Sequence, residues 1–320
     1  MKMPKINIPK IKLPKVKMPK FLIPIFGEPV GDEVYESFTE DKHRDSKYKL
    51  PSELNQMWTA FMVQMKLFMK SYLPIVMLLL VAAIPLIVYS GVLDGLIINT
   101  IRSEIGDTGE THMAISLGLL SVMTILISCM VCGTMLASEF RFRTAFLNFS
   151  IPQSRTTLYF GKFLAGFVLV AATVLLAFFV SIVMANLAGY GSVSTAAAGQ
   201  ALLLALAGSF AFCCIAYGMS AFMSHGSTML PFVLIFIIMS AFGLVTLDAA
   251  GIGHLAGYIP SLSGDLALAC LGSDQTLSVA LLLNMETDMS ASVPLAALVS
   301  IITGAAVLTA GLFRTLRREI

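Results

Sequence analysis

Six stretches of this chain, at residues 72–92, 113–137, 163–187, 201–223, 229–247 and 295–313, contain no Asp, Glu, Lys or Arg. Each is close to the roughly 20 residues that a helix needs to cross the hydrocarbon core of a bilayer. In lipid every backbone N–H and C=O must be satisfied within its own segment, and unbroken runs of this length do that as helices. The expected fold is therefore an all-α polytopic membrane protein with six transmembrane helices. Of the 320 residues 57% are hydrophobic and 12% charged, against roughly 45–50% and about 25% in soluble domains. The 21 basic and 19 acidic side chains are too few to clothe soluble cores of this size, which excludes a water-soluble fold.

The basic residues orient the spans. Thirteen lie up to Lys70, four (Arg141, Arg143, Arg155, Lys162) between the second and third runs, and three (Arg314, Arg317, Arg318) after the sixth. In a six-span arrangement these twenty fall on one face and Arg102 alone on the other. By the positive-inside rule both termini are then cytoplasmic, and a span more or fewer in the middle would scatter the charges. The expected location is the cell membrane.

Residues 1–27 form a Lys/Pro pentapeptide-repeat tail, in which Pro4, Pro9, Pro14, Pro19 and Pro24 recur every fifth position and Lys5, Lys10, Lys15 and Lys20 follow the first four. Proline at that frequency forbids a regular helix and favours an extended ribbon, and no continuous apolar run is present to act as a secretory signal. Two readings stand side by side: a tether to anionic lipid through those lysines, or a tail without a fixed contact. Residues 28–52 are an acidic linker. From 53 to 70 an amphipathic pattern appears, with Trp58, Phe61, Met62, Met65, Phe68 and Met69 at three- and four-residue steps beside Lys66 and Lys70. This is an interfacial helix ahead of the first span, with Trp58, Lys66 and Lys70 as lipid-surface contacts. Residues 53–320 make up the six-span body. Between the fifth and sixth spans, 248–294 holds two apolar stretches too short to cross, at 262–271 and 277–285. They suit either surface helices or a re-entrant element.

Chemistry is mostly excluded. Gly161-Lys162 is not preceded by the glycine-rich cradle of a phosphate loop, and there is neither an H-E-x-x-H helix nor a pair of intramembrane carboxylates. No catalytic residue and no metal site are expected. Ser220 with His225 is a poor nucleophile and base, since i and i+5 do not share a helix face; Ser220 reads as a small packing residue among Gly208, Gly218 and Ala221. Cys129, Cys132, Cys213, Cys214 and Cys270 lie in or beside apolar runs and read as fillers. No charged residue stands within a span to hold a coupling ion, so transport, if that is the task, draws its energy from elsewhere.

One segment is distinctive. Between the second and third runs the chain reads SEFRFRTAFLNFSIPQSR and ends at Gly161-Lys162. Thr144 can open a helical turn that displays Phe146, Leu147 and Phe149, Pro152 stops it, and Ser154 can cap the next helix. Exposed apolar side chains beside arginines suit a docking knob for another protein.

Here the chain resembles the type-2 ABC transporter permeases, in which the loop after the second span reads Glu-x-x-x-Gly-Thr, a leucine-rich turn, Pro-x-Ser-Arg, then Gly-Lys. Glu139, Thr144, Pro152, Ser154, Arg155, Gly161 and Lys162 match in order and spacing, and Arg143 stands where the family has glycine. The resemblance covers nearly all of 53–320. It implies a non-enzymatic permease subunit, an exporter, paired with a second permease copy or relative and with separate ATPase subunits that bind ATP and Mg. The coupling segment would then contact the ATPase subunit through Glu139, Arg141, Thr144, Phe146, Leu147, Phe149, Pro152 and Arg155. The other partner implied is the lipid bilayer; nucleic acid is not one. Spans rich in Phe, Met, Leu and Ala favour an apolar or amphipathic cargo over a bare ion. The alternative is a membrane-anchored scaffold whose Lys/Pro tail is the working part.

Overall fold

The computed structural model describes residues 52–72, 74–79, 109–141, 154–187, 194–223 and 292–317, with 81, 83, 246–247, 250–251, 255 and 258–259 between them. The tail at 1–27, most of the linker, the run at 229–245 and most of 248–294 lie outside the described residues. Among the described residues the secondary structure is almost entirely helical and contains no strand. Six helices are defined: α1 Glu53–Lys70, α2 Gly109–Val131, α3 Met135–Arg141, α4 Arg155–Leu187, α5 Thr195–Ser220 and α6 Val293–Arg317. Among the described residues four stretches are long and apolar enough to cross a membrane: α4, α5, α6, and Leu119–Ala137, which runs through the α2–α3 junction. The protein is thus an all-α membrane protein.

Helix α1 falls where the amphipathic periodicity puts it. Glu53 stands in the first turn and Lys70 in the last, each favourable to the helix dipole. Gln56, Phe61 and Phe68 are buried, while Leu54, Trp58, Met62, Val63, Leu67 and Met69 are exposed. The helix stops at Ser71, whose backbone N–H and hydroxyl both donate to the Phe68 carbonyl, at 3.0 and 2.7 Å. Residues 74–79 are helical again, with Met77 and Val81 buried on one side and Ile75, Val76, Leu78 and Leu79 exposed on the other.

The second apolar run was expected as one helix over 113–137. It is instead interrupted at 132–134. Gly133 lowers helix propensity there, and the Thr134 hydroxyl donates to the Met130 carbonyl at 2.8 Å, a back-bond that bends helices. The bend is fitted against Gly166 of α4, where a Cβ would stand 2.8 Å from Cys132 Sγ and 3.0 Å from Met135 Cε. The third run is also longer than expected. Ser154 caps α4 through the Thr157 N–H at 3.3 Å, so the helix begins eight residues before 163 and takes Arg155 and Lys162 into itself.

Contacts fix the helix directions. Gly304 meets Ala211 and Gly311 meets Gly218, so α5 and α6 run parallel. As α4 proceeds from Phe163 to Phe167, its ring partners on α5 retreat from Tyr217 to Phe210, so α4 is antiparallel to both. Lys162 pairs with Glu139 and Gly166 abuts Cys132, which makes α2 and α3 antiparallel to α4 as well.

The core of the bundle is the α5–α6 seam. Ala297, Ser300, Gly304, Leu308, Gly311 and Thr315 of α6 are buried at the three- and four-residue steps of one face. Small residues let the backbones approach, which is how membrane helices gain contact without a hydrophobic driving force between them. The Gly218 Cα hydrogens face the Val307 carbonyl so closely that a Cβ would lie 2.5 Å from its oxygen. Two buried tyrosines tie α4 across the seam: Tyr159 Oη donates to the Leu308 carbonyl at 2.9 Å and Tyr217 Oη to the Tyr159 carbonyl at 3.0 Å. Tyr217→Phe removes one such bond and is expected to lower stability by about 0.5–1.5 kcal/mol, seen as a small drop in Tm of the detergent-purified protein. An unchanged Tm would show that this bond is not stabilising.

Candidate functional site

At one end of the described bundle the first turns of α4 make polar contacts with α1, α3 and α6. Three contacts build this end. Gln56 of α1 turns its Oε1 to the Ser154 backbone N–H at 3.3 Å and to Thr157 Oγ1 at 3.5 Å. Ser154 Oγ in turn donates to Thr157 Oγ1 at 2.8 Å. The buried glutamine oxygen is therefore met by the N-cap of α4, as a buried polar group requires.

The second contact is a close approach. A Cβ on Gly161 would stand 2.6 Å from the Met57 carbonyl oxygen and 2.8 Å from Ala60 Cβ. Glycine at that position is what allows the α1 backbone to lie directly on α4. The third is an ion pair between Lys162 Nζ of α4 and Glu139 Oε1 of α3, with side chains only 9% and 16% exposed. Where water is largely excluded each charge needs the other, and removing one partner alone is costly because it strands the second.

At 33 residues α4 is about 50 Å long at 1.5 Å per residue, against a hydrocarbon core of about 30 Å. Its charged first turns can therefore stand at headgroup level. Arg155, its first residue, reaches across to α6, where Nη1 lies 3.4 Å from the Leu316 carbonyl. The last turn of α6 adds Arg314 and Arg317, favourable at a helix C-terminus.

Of the expected partner-contact residues, Glu139 lies in α3, Arg141 ends it and Arg155 begins α4. Thr144, Phe146, Leu147, Phe149 and Pro152 fall in 142–153, outside the described residues, as do Lys5, Lys10, Lys15 and Lys20. Trp58, Lys66 and Lys70 are all exposed on α1. Lys162, counted among the cations of the loop and matched to the Gly-Lys of the signature, is buried and paired in the structure. Gln56 had not been singled out at all. Its position carries no signal that could have singled it out, because five residues before Phe61 it does not share the helix face of Phe61 and Phe68.

Toward the opposite end lies a cleft of about 960 Å³ between α4, α5 and α6, lined by apolar residues that include Phe167, Leu203, Phe210, Leu298 and Ile302. Gly199 and Pro294, near the starts of the parallel α5 and α6, also line it. Cys129, Cys132, Cys213 and Cys214 are buried free thiols, and Ser220 donates its hydroxyl to the Tyr217 carbonyl at 2.6 Å, as a packing residue does. Among the described residues no group of His, Cys, Asp and Glu is arranged to hold a metal. No family model matches this chain, and no curated protein matches it in sequence.

Proposed function

We propose that the chain is the membrane-spanning permease subunit of an ATP-driven transporter of the type-2 ABC kind. One observation carries this reading: Glu139 and Lys162, two residues of the loop signature, pair with each other, and Ser154 and Gly161 of the same signature join α4 to α1. Four signature residues thus have interlocking tasks at the two ends of 142–153. Flanking helices that are joined to one another suit the receipt of motion from a cytoplasmic partner.

The helix directions support a six-span topology with both termini on one side. Helix α1 sits at the end where α4 starts, whereas α2 starts at the other end, so the chain crosses once between them, where the apolar run 72–92 lies. Helices α5 and α6 are parallel, so the chain crosses back between them, where the run 229–247 lies. With the four candidate spans this makes six crossings.

The separate ATPase subunit binds ATP and Mg, and a second permease copy or a relative completes the pathway. The apolar cleft supports an apolar or amphipathic cargo; export is the direction taken from the family resemblance. The exposed apolar face of α1 with Lys66 and Lys70 supports its lying in the interface of the cell membrane.

The test is affinity purification of the tagged chain in mild detergent, alongside a Phe146→Asp variant. Co-purification of an ATP-binding subunit with the parent, reduced at least about tenfold in the variant as expected for loss of an apolar anchor, is the predicted result. Recovery of no ATPase from either sample, under conditions that preserve other transporters, sinks the reading and favours the anchored scaffold.

A further inference from the structure

The cleft between α4, α5 and α6 has a depth that matches half a bilayer. Along α5 its wall runs from Gly199 to Phe210, about 16 Å at 1.5 Å per residue. Along α6 it runs from Pro294 to Ile302, about 12 Å. Arg314 stands in the last turn of α6, about 30 Å along the axis from Pro294, and that is the thickness of the hydrocarbon core. With the arginine at one headgroup level, Pro294 and the mouth of the cleft stand at the other. The deep end, at Phe210 and Ile302, then reaches the middle of the bilayer. One leaflet, about half of the roughly 30 Å core, is the reach of one acyl chain.

The lining fits the same occupant. No lining residue carries a polar side chain, so neither an ion nor a polar head can be held at that depth. Gly199, Ala207 and Ala297 leave room between the helices, and the Phe167 and Phe210 rings, edge to face with centroids 5.3 Å apart, close the deep end. Leu203, Leu298, Ile301 and Ile302 of the wall are exposed, so the cleft opens sideways onto the surface that lipid covers. An occupant enters from hydrocarbon and not from water. A chain in the cleft touches three helices where on a convex face it touches one, and each added contact adds dispersion attraction.

We propose that the cleft seats one acyl chain of a lipid from the leaflet opposite Arg314 and Arg317, with its ester end at Gly199 and Pro294 and its terminal methyl against Phe167 and Phe210. This names the class of the apolar cargo and rests on the permease reading for transport alone; the seating rests on the cleft.

The experiment places the full-length parent in phosphatidylcholine vesicles containing a trace of phosphatidylcholine with a diazirine either beside the ester or at the end of one acyl chain. After photolysis the labelled residues are read by mass spectrometry. Leu176 and Phe179, exposed on α4, report ordinary lipid contact. The chain-end probe is expected to label Phe167, Phe210 and Ile302, and the ester-side probe Leu203 and Pro294, each about tenfold above that reference, the preference that a few extra buried methylenes provide. Gly199→Trp puts an indole at the mouth, where nothing stands within 4 Å of a Cβ. It is expected to melt as the parent does and to cut labelling of the cleft about tenfold while leaving Leu176 and Phe179 unchanged.

Cleft labelling no higher than at Leu176 and Phe179, or without order between the two depths, overturns the proposal, since the cleft is then ordinary lipid-facing surface. Labelling below that reference also overturns it, since protein then covers the cleft, either a second copy or residues 229–247. Both outcomes are read on the parent alone and so decide the matter even where Gly199→Trp does not fold. A folded Gly199→Trp with parental labelling overturns it as well. Labelling as expected from a parent that recovers no ATPase subunit removes the permease reading and leaves the seat. Recovery of the ATPase subunit with the cleft labelled only as the reference removes the seat and leaves the permease reading.

Discussion

Leucine in place of Gly311 is expected to force the α5–α6 seam apart. A Cβ there would stand 2.6 Å from Gly218 Cα and 2.7 Å from its carbonyl oxygen, and also 2.7 Å from Tyr159 Oη. Two of those three atoms are backbone of a neighbouring helix and cannot rotate away, so the helices must separate. Separation also draws Leu308 away from the Tyr159 hydroxyl that it accepts from. Overpacking of this kind costs about 1–3 kcal/mol, a fall of roughly 2–5 °C in Tm for a chain of this size. The measurement is a thermal melt of the detergent-purified variant. Gly199→Ala provides the contrast, since nothing stands within 4 Å of its Cβ position and alanine is the better helix former by about 1 kcal/mol. Equal Tm values for the two variants would show that the close approach at Gly311 is not what holds the seam.

The second large effect is expected at Gly161, and it is of a different kind. Leucine there drives a side chain into the Met57 carbonyl and Ala60 Cβ, but α1 is held to α4 by one face only. The helix is expected to lift off while the seam stays closed. The Gln56 contacts to Ser154 and Thr157 are lost with it. Tryptic cleavage after Lys66 and Lys70 should then rise about tenfold or more, because local opening and not global unfolding limits it. The main melting transition should move by no more than a few degrees. A large drop in Tm without faster cleavage would mean that α1 belongs to the cooperative core and not to its edge.

Much of this architecture was legible in the linear pattern. The amphipathic steps from Trp58 to Met69 placed α1 correctly at 53–70, and the charge-free runs located α4, α5 and α6 to within a few residues at their apolar cores. Ser154 was readable as a cap because a serine hydroxyl followed by a long helical run has an evident use in satisfying the first free N–H groups. Helix ends were less legible. The third run was drawn from 163 because Lys162 is charged, yet α4 extends back to Arg155. Charge marks where a segment can leave lipid, not where its hydrogen bonding stops. The break at 132–134 was hidden for a similar reason: Cys132, Gly133 and Thr134 are tolerated in a membrane helix, and only the fit to Gly166 gives the bend its place.

Length, apolar periodicity and the distribution of lysine and arginine are local properties, and they sufficed for the class of the protein and for the positions of most helices. A hydrophobic run selects lipid as its solvent whatever its neighbours are. Partnership is not local. Glu139 and Lys162 are 23 residues apart, and Gln56 and Ser154 are 98 apart. Nothing in the identity of either member names the other. Glycines are equally silent in one dimension, since Gly161, Gly218 and Gly311 matter for the atoms of another helix that stand where a Cβ would be. Those assignments came from packing in three dimensions, where the low dielectric around buried groups makes a paired charge tolerable and an unpaired one costly, and where a missing side chain lets two backbones meet.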